Sequence, residues 1–132
     1  MEILLVGAAL MIAAILMSAW LMTFAKWFPV PGIDGVFLKD YKTMIRAHVD
    51  FALMALFCLG FYATKVQLPV AACWLVVIGG MTNPGVFVVA AFDPDFWAKP
   101  VWRIYSLLSF IATTLGFGWI AWTLLRFALQ TG

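Results

Sequence analysis

The sequence predicts an all-α, integral membrane four-helix bundle, and three observations predict it. The chain of 132 residues is 66% hydrophobic and only 11% charged, where soluble domains carry about half apolar and a quarter charged residues. Its apolar residues fall into four long runs separated by short polar, Pro- and Gly-bearing stretches. Each run is close to the roughly 20 residues that a membrane-crossing helix needs. Four such spans and their connections consume the whole length, so one domain is expected, with helices over about 3–26, 42–64, 69–92 and 101–129.

The first run, from about Ile3 to Phe24, ends at Lys26, Trp27 and Pro29. Glu2 stands where a secretory signal would carry basic residues, so the run reads as a retained helix. Pro29, Pro31, Gly32 and Gly35 break the chain in the next stretch, and Lys39, Asp40 and Lys42 form its polar end. A connection of that length is expected to cover something. The second helix begins near Tyr41 or Thr43 and carries Arg46, His48 and Asp50 in its first turns. Pro69 is expected at the first turn of the third helix, where a missing N–H costs nothing. That helix contains Gly79-Gly80 and Thr82-Asn83-Pro84-Gly85, both read as interruptions. The fourth helix is lined by Ser106, Ser109, Thr113, Thr114, Gly116 and Gly118, a stripe of small residues that suits close helix packing.

The basic residues report topology. With the N-terminus outside, Lys26, Lys39, Lys42, Arg46, Lys99 and Arg103 all fall inside, leaving Lys65 and Arg126 outside. The positive-inside rule therefore places both termini outside the cytoplasm, in a membrane of the bacterial inner (plasma) type, with Trp27, Trp97 and Trp102 at the inner interface. A net charge of +2 with no basic cluster excludes a nucleic-acid footprint. Cys58 and Cys73 lie in different runs without metal-ligand spacing and read as packed thiols.

The candidate site is Arg46-Ala47-His48-Val49-Asp50, because an ionisable residue in a membrane segment is costly to keep there. His48, the single histidine, is expected a turn or so inside the interface, with Asn83 deeper, about 14 Å in at 1.5 Å per residue. Phe51, Ala52, Ala55 and Leu59 share the helix face of His48, and the alanines leave room for a flat ligand. Asp50 lies about 200° round the helix and is expected to pair with Arg46 at i−4 or with a basic residue of a neighbouring helix or subunit. One histidine cannot build a structural zinc site, and the methionines are too scattered for copper. A single axial bond to a haem is open to it, and so is simple solvation among headgroups. Asn83 has two readings of equal weight, repair of the helix at Pro84 or a place in a pocket.

Arg46-Ala47-His48 followed by Thr82-Asn83-Pro84-Gly85-Val86-Phe87 resembles styrene oxide isomerase and, more loosely, hydroxylaminobenzene mutase, small four-helix membrane proteins of similar length. The resemblance covers about the central third of the chain. It implies haem b ligated by His48 between subunits of a homotrimer, with Arg46, Ala52 and Ala55 in the cofactor-binding set. It further implies Lewis-acid opening of a small hydrophobic epoxide to an aldehyde, with Asn83, Phe87, Met54 and Phe51 in the catalytic pocket and Phe57 as a further aromatic wall. Two positions depart from the family: Met54 replaces an asparagine and Phe87 a tyrosine. The alternatives are a haem-binding membrane protein without isomerase activity and a small accessory subunit of a larger membrane complex. Membrane lipid, a small apolar substrate and further copies of the chain are the expected partners.

Overall fold

A computed structural model describes residues 1–27 and 38–132. Four long helices account for almost all of it: α1 (Glu2–Trp27), α2 (Tyr41–Ala63), α3 (Val70–Phe92) and α4 (Pro100–Thr131), with a short 3-10 turn at Phe96–Ala98. All four are long and apolar enough to cross a membrane. The long connection after Trp27, expected to act as a cover, falls largely on residues 28–37 and lies outside the described residues.

Local chemistry sets the helix ends. Asp40 caps α2, its carboxylate accepting from the Thr43 amide at 3.1 Å and from the Thr43 hydroxyl. These donors hold the Asp40 carboxyl below its ordinary pKa. At the other end of α2, Lys65 takes φ of 58°, and this left-handed residue stops the helix. Pro69 is not inside α3 but caps it, without a side-chain bond. Asp93 closes α3 and pairs with Lys99, which holds the Asp93 carboxyl below its usual range.

α3 is the hub, packing on all three other helices, while α1 and α2 pack on each other. The Gly7–Val77 and Met11–Gly80 contacts make α1 parallel to α3. The hydrogen bond from Asp40 N to Ala91 O at 3.0 Å joins the start of α2 to the end of α3, and α4 runs back down α3. The main core joins Leu4, Met11, Phe51, Cys58, Cys73 and Val76, so both cysteines are buried, unbonded thiols.

α3 and α4 approach closely through glycine. A Cβ added at Gly79 would lie 2.8 Å from Thr113 Cα, and one at Gly116 would lie 2.8 Å from Val76 N. Ser106, Ser109 and Gly116 are buried, whereas Thr114 is exposed and Gly118 meets no neighbour, so only part of the small-residue stripe packs. The expected interruptions do not occur, for α3 is continuous through Gly79-Gly80 and Pro84. Thr82 secures this stretch: its hydroxyl bonds Ile78 O at 2.8 Å and Ser109 of α4 at 2.8 Å, while Tyr105 of α4 donates to Thr82 O at 3.0 Å.

Candidate functional site

Helix spacing places His48 at the edge of the buried stripe of α2. Met44, Ala47, Phe51, Ala55 and Cys58 recur at three- and four-residue intervals and face the core. His48 follows Ala47 by one residue, turns toward α1, and is half-buried. Its Nδ1 lies 2.8 Å from Oγ of Ser18, a serine 3% exposed in an otherwise apolar stretch of α1.

That contact ties the imidazole to α1 and suits an Nδ1–H tautomer. The Ser18 hydroxyl has a single proton, and it donates this to Ile15 O at 2.9 Å. With the hydroxyl proton on Ile15 O, the serine oxygen can accept from Nδ1–H of His48. The lone pair then sits on Nε2, which has no hydrogen-bond partner among the described residues. A neutral imidazole with Nδ1–H held by the protein and Nε2 free is the usual form of a histidine metal ligand.

Counting residues from the Asp40–Ala91 bond corrects the expected depths. His48 is eight residues along α2 from Asp40 and Asn83 eight along α3 from Ala91, so each lies about 12 Å from that end at 1.5 Å per residue. The two residues share a level but not a side. Asn83 sits between Gly79 and Val86, which face α4, and Gly80 and Phe87, which face α1 and α2, so it points toward the seam between α4 and that pair. His48 is instead tied to α1.

The Thr82 hydroxyl bonds the carbonyls of Ile78 and Gly79, while Asn83 Oδ1 is buried with no partner among the described residues. A buried acceptor without a donor is costly. This favours the pocket reading over the structural one.

The other expected site residues are dispersed. Phe51 and Ala55 are buried in the main core, and Ala52 is half-buried beside His48. Met54 packs toward Gly80, the spot where a Cβ on Gly80 would come 3.4 Å from Met54 Cβ. Phe87 packs with Met44, Ala47 and Ala91. Phe57 stacks edge-on against Phe117 of α4 at 5.2 Å, nine residues beyond His48, so Phe51, Phe57 and Phe87 do not make one aromatic face. The expected Arg46–Asp50 pair is not formed: Lys99–Asp93 is the ion pair of the described residues. Arg46 is exposed and about 200° from His48 on the same helix, so it cannot join His48 around one ligand within a chain.

No family model, characterised protein or solved structure matches the chain.

A single histidine donor is compatible with one axial bond to a haem. Among the described residues, no three His, Cys, Asp or Glu side chains come together, whereas a porphyrin supplies its own equatorial ligands. The bundle interior beside His48 is filled by Phe51, Ala55 and their neighbours. A flat group on Nε2 would lie along the half-exposed flank of α2. Ser18 was not singled out by sequence reasoning, although it is the single serine before residue 106 and the sole hydroxyl between Met1 and Met22.

Proposed function

We propose that this chain is an integral membrane protein that holds haem b through His48 and isomerises a small hydrophobic epoxide, of the styrene oxide type, to an aldehyde. The haem assignment rests on the Ser18–His48 bond, which leaves Nε2 as a free donor atom. The epoxide assignment rests on the resemblance of Arg46-Ala47-His48 and Thr82-Asn83-Pro84-Gly85 to the isomerase family. Membrane residence is supported by the apolar side chains that cover the outside of all four helices, Leu10, Leu16, Leu56, Leu108 and Leu115 among them. Basic residues gathered at one end favour both termini outside the cytoplasm.

Ferric haem, when bound, supplies a Lewis acid for an epoxide oxygen, and ring opening with a hydride shift needs no redox partner. The protein supplies the rest. Ser18 orients the imidazole through Nδ1–H. Ala52 leaves space beside it for a planar group. The apolar surroundings keep water from a developing carbocation, and Asn83 offers a carboxamide whose oxygen has no other bond. Since His48 and Asn83 of one chain face different sides, the complete site is assembled between copies, His48 from one and Asn83 from another. A homotrimer is the arrangement that the resemblance implies.

Purified protein should show a Soret band that His48→Ala abolishes. A colourless, folded preparation incubated with haemin and still without a Soret band refutes the assignment.

A second reading is a haem protein without isomerase activity. It is favoured by Met54 and Phe87, which pack into neighbouring helices in place of the polar groups of the resembling family. Incubation with styrene oxide separates the two, since phenylacetaldehyde forms only under the first.

A further inference from the structure

The end of the bundle opposite Asp40 and Asp93 carries a cavity of about 680 Å³, between the α2–α3 connection and the last turns of α4. We propose that it binds the headgroup of an anionic phospholipid, with the phosphodiester held by Lys65 and Arg126. The inference rests on the membrane reading above and is independent of haem.

Two cations line this cavity and no carboxylate does. Arg126 has no ion-pair or hydrogen-bond partner among the described residues. Lys65 holds its ammonium 4.5 Å over the Tyr62 ring, a weak interaction that leaves its donors available. Glu2 shares with Lys65 a separate cavity beside the N-terminus and does not reach Arg126. Lys65 is positioned by backbone rather than by chance: its left-handed φ of 58° turns the chain sharply after α2 and brings it beside Pro69.

The third positive element is α3 itself. Its N-cap is Pro69, a wall of this cavity, and no side chain caps the first-turn amides. Those amides, with the positive end of the helix dipole, add to the field of the two cations. Gln67 and Gln130 add neutral hydrogen-bonding groups at the rim.

The remaining wall selects an amphiphile over a free anion. Trp119, Trp122 and Phe127 of α4 present broad apolar surface to the cavity, and the helix continues from there into its lipid-facing apolar stretch. Trp side chains sit at headgroup level in a bilayer. Basic residues at that level attract anionic lipid. An anion held here would also remove the repulsion between Lys65 and Arg126.

Native mass spectrometry of detergent-purified protein tests the site with dioleoyl phosphatidylglycerol, dioleoyl phosphatidylcholine and inorganic phosphate as probes. One phosphatidylglycerol per chain should bind at least tenfold more tightly than phosphatidylcholine. Arg126→Gln should weaken it at least fivefold and Arg126→Lys should retain it; Arg126 is exposed, so the fold survives either change. Equal binding of the two lipids, unchanged binding by Arg126→Gln, or displacement by stoichiometric inorganic phosphate would each overturn the proposal. Alkaline carbonate extraction separates this from failure of the membrane reading: release of the chain overturns that reading, whereas retention with an unaltered Arg126→Gln titration overturns only the lipid site.

Discussion

Ser18→Ala gives the sharpest test of the histidine site. The substitution removes the acceptor of the His48 Nδ1–H, a bond of 2.8 Å to a serine that is 3% exposed. It leaves the α1 backbone intact, because the lost Ser18–Ile15 bond is a side-chain addition to a helix already formed. The direct cost is that of one buried hydrogen bond, about 1 kcal/mol, rising to about 2–3 kcal/mol if Nδ1–H is left without water. The larger effect is on ligation. With no partner on Nδ1 the ring loses its fixed orientation, and loss of such a supporting contact typically costs about 10–100-fold in affinity. Titration of cofactor-free protein in detergent with haemin, followed at the Soret band, should therefore show about 10–100-fold weaker binding for Ser18→Ala and near-abolition for His48→Ala. Ser18→Thr, which keeps a hydroxyl, should stay close to the parent. Equal haemin affinity for Ser18→Ala and the parent, with His48→Ala inactive, would refute the role assigned to Ser18.

Three further outcomes are expected. Asn83→Leu should raise the unfolding free energy in detergent by about 1–2 kcal/mol, because it replaces a buried acceptor that has no donor with apolar volume; a lower value would show that Asn83 is a structural residue after all. Gly79→Ala should lower stability by about 1–3 kcal/mol, since its Cβ would press on the Thr113 backbone and push α3 from α4. Gly118→Ala, which meets no neighbour, serves as its control under the same chemical denaturation. The Asp93 carboxyl is depressed chiefly by its hydrogen bond to Lys99, so the pair favours the folded state above the ordinary carboxylate value near 3.8 and loses that contribution as pH falls through the folded-state pKa. Lys99→Met should raise the Asp93 pKa, observed by NMR titration, and lower stability above about pH 4, with the difference from the parent disappearing as pH falls through the folded-state pKa.

The haem and epoxide readings came from short motifs, and the fold decides how far those motifs cooperate. Helix periodicity correctly separates Arg46 from His48, since about 200° of rotation on one helix is a local property. It does not reveal that Asp50 and Arg46 stay unpaired, because side-chain reach at i−4 permits a bond without requiring one. Nor does it give relative depth. The notion that Asn83 lies deeper than His48 comes from counting each helix from its own end, and the Asp40–Ala91 bond replaces those two origins with a common one.

By itself the sequence determined that four apolar helices form, where their polar ends fall, and that His48 stands alone as an imidazole among apolar neighbours. Those are matters of composition, capping and local period, which act within a few residues. It also carried the two glycines that make α3–α4 contact tight, though not their partners. Only the tertiary structure decided that Ser18 meets Nδ1, that Asn83 Oδ1 is buried without a donor, and that His48 and Asn83 stand at one height. Each of these depends on the rotation and register of one helix against another. In a chain apolar on nearly every face, the hydrophobic pattern leaves that register open, so close glycine contacts and a few interhelical hydrogen bonds set it.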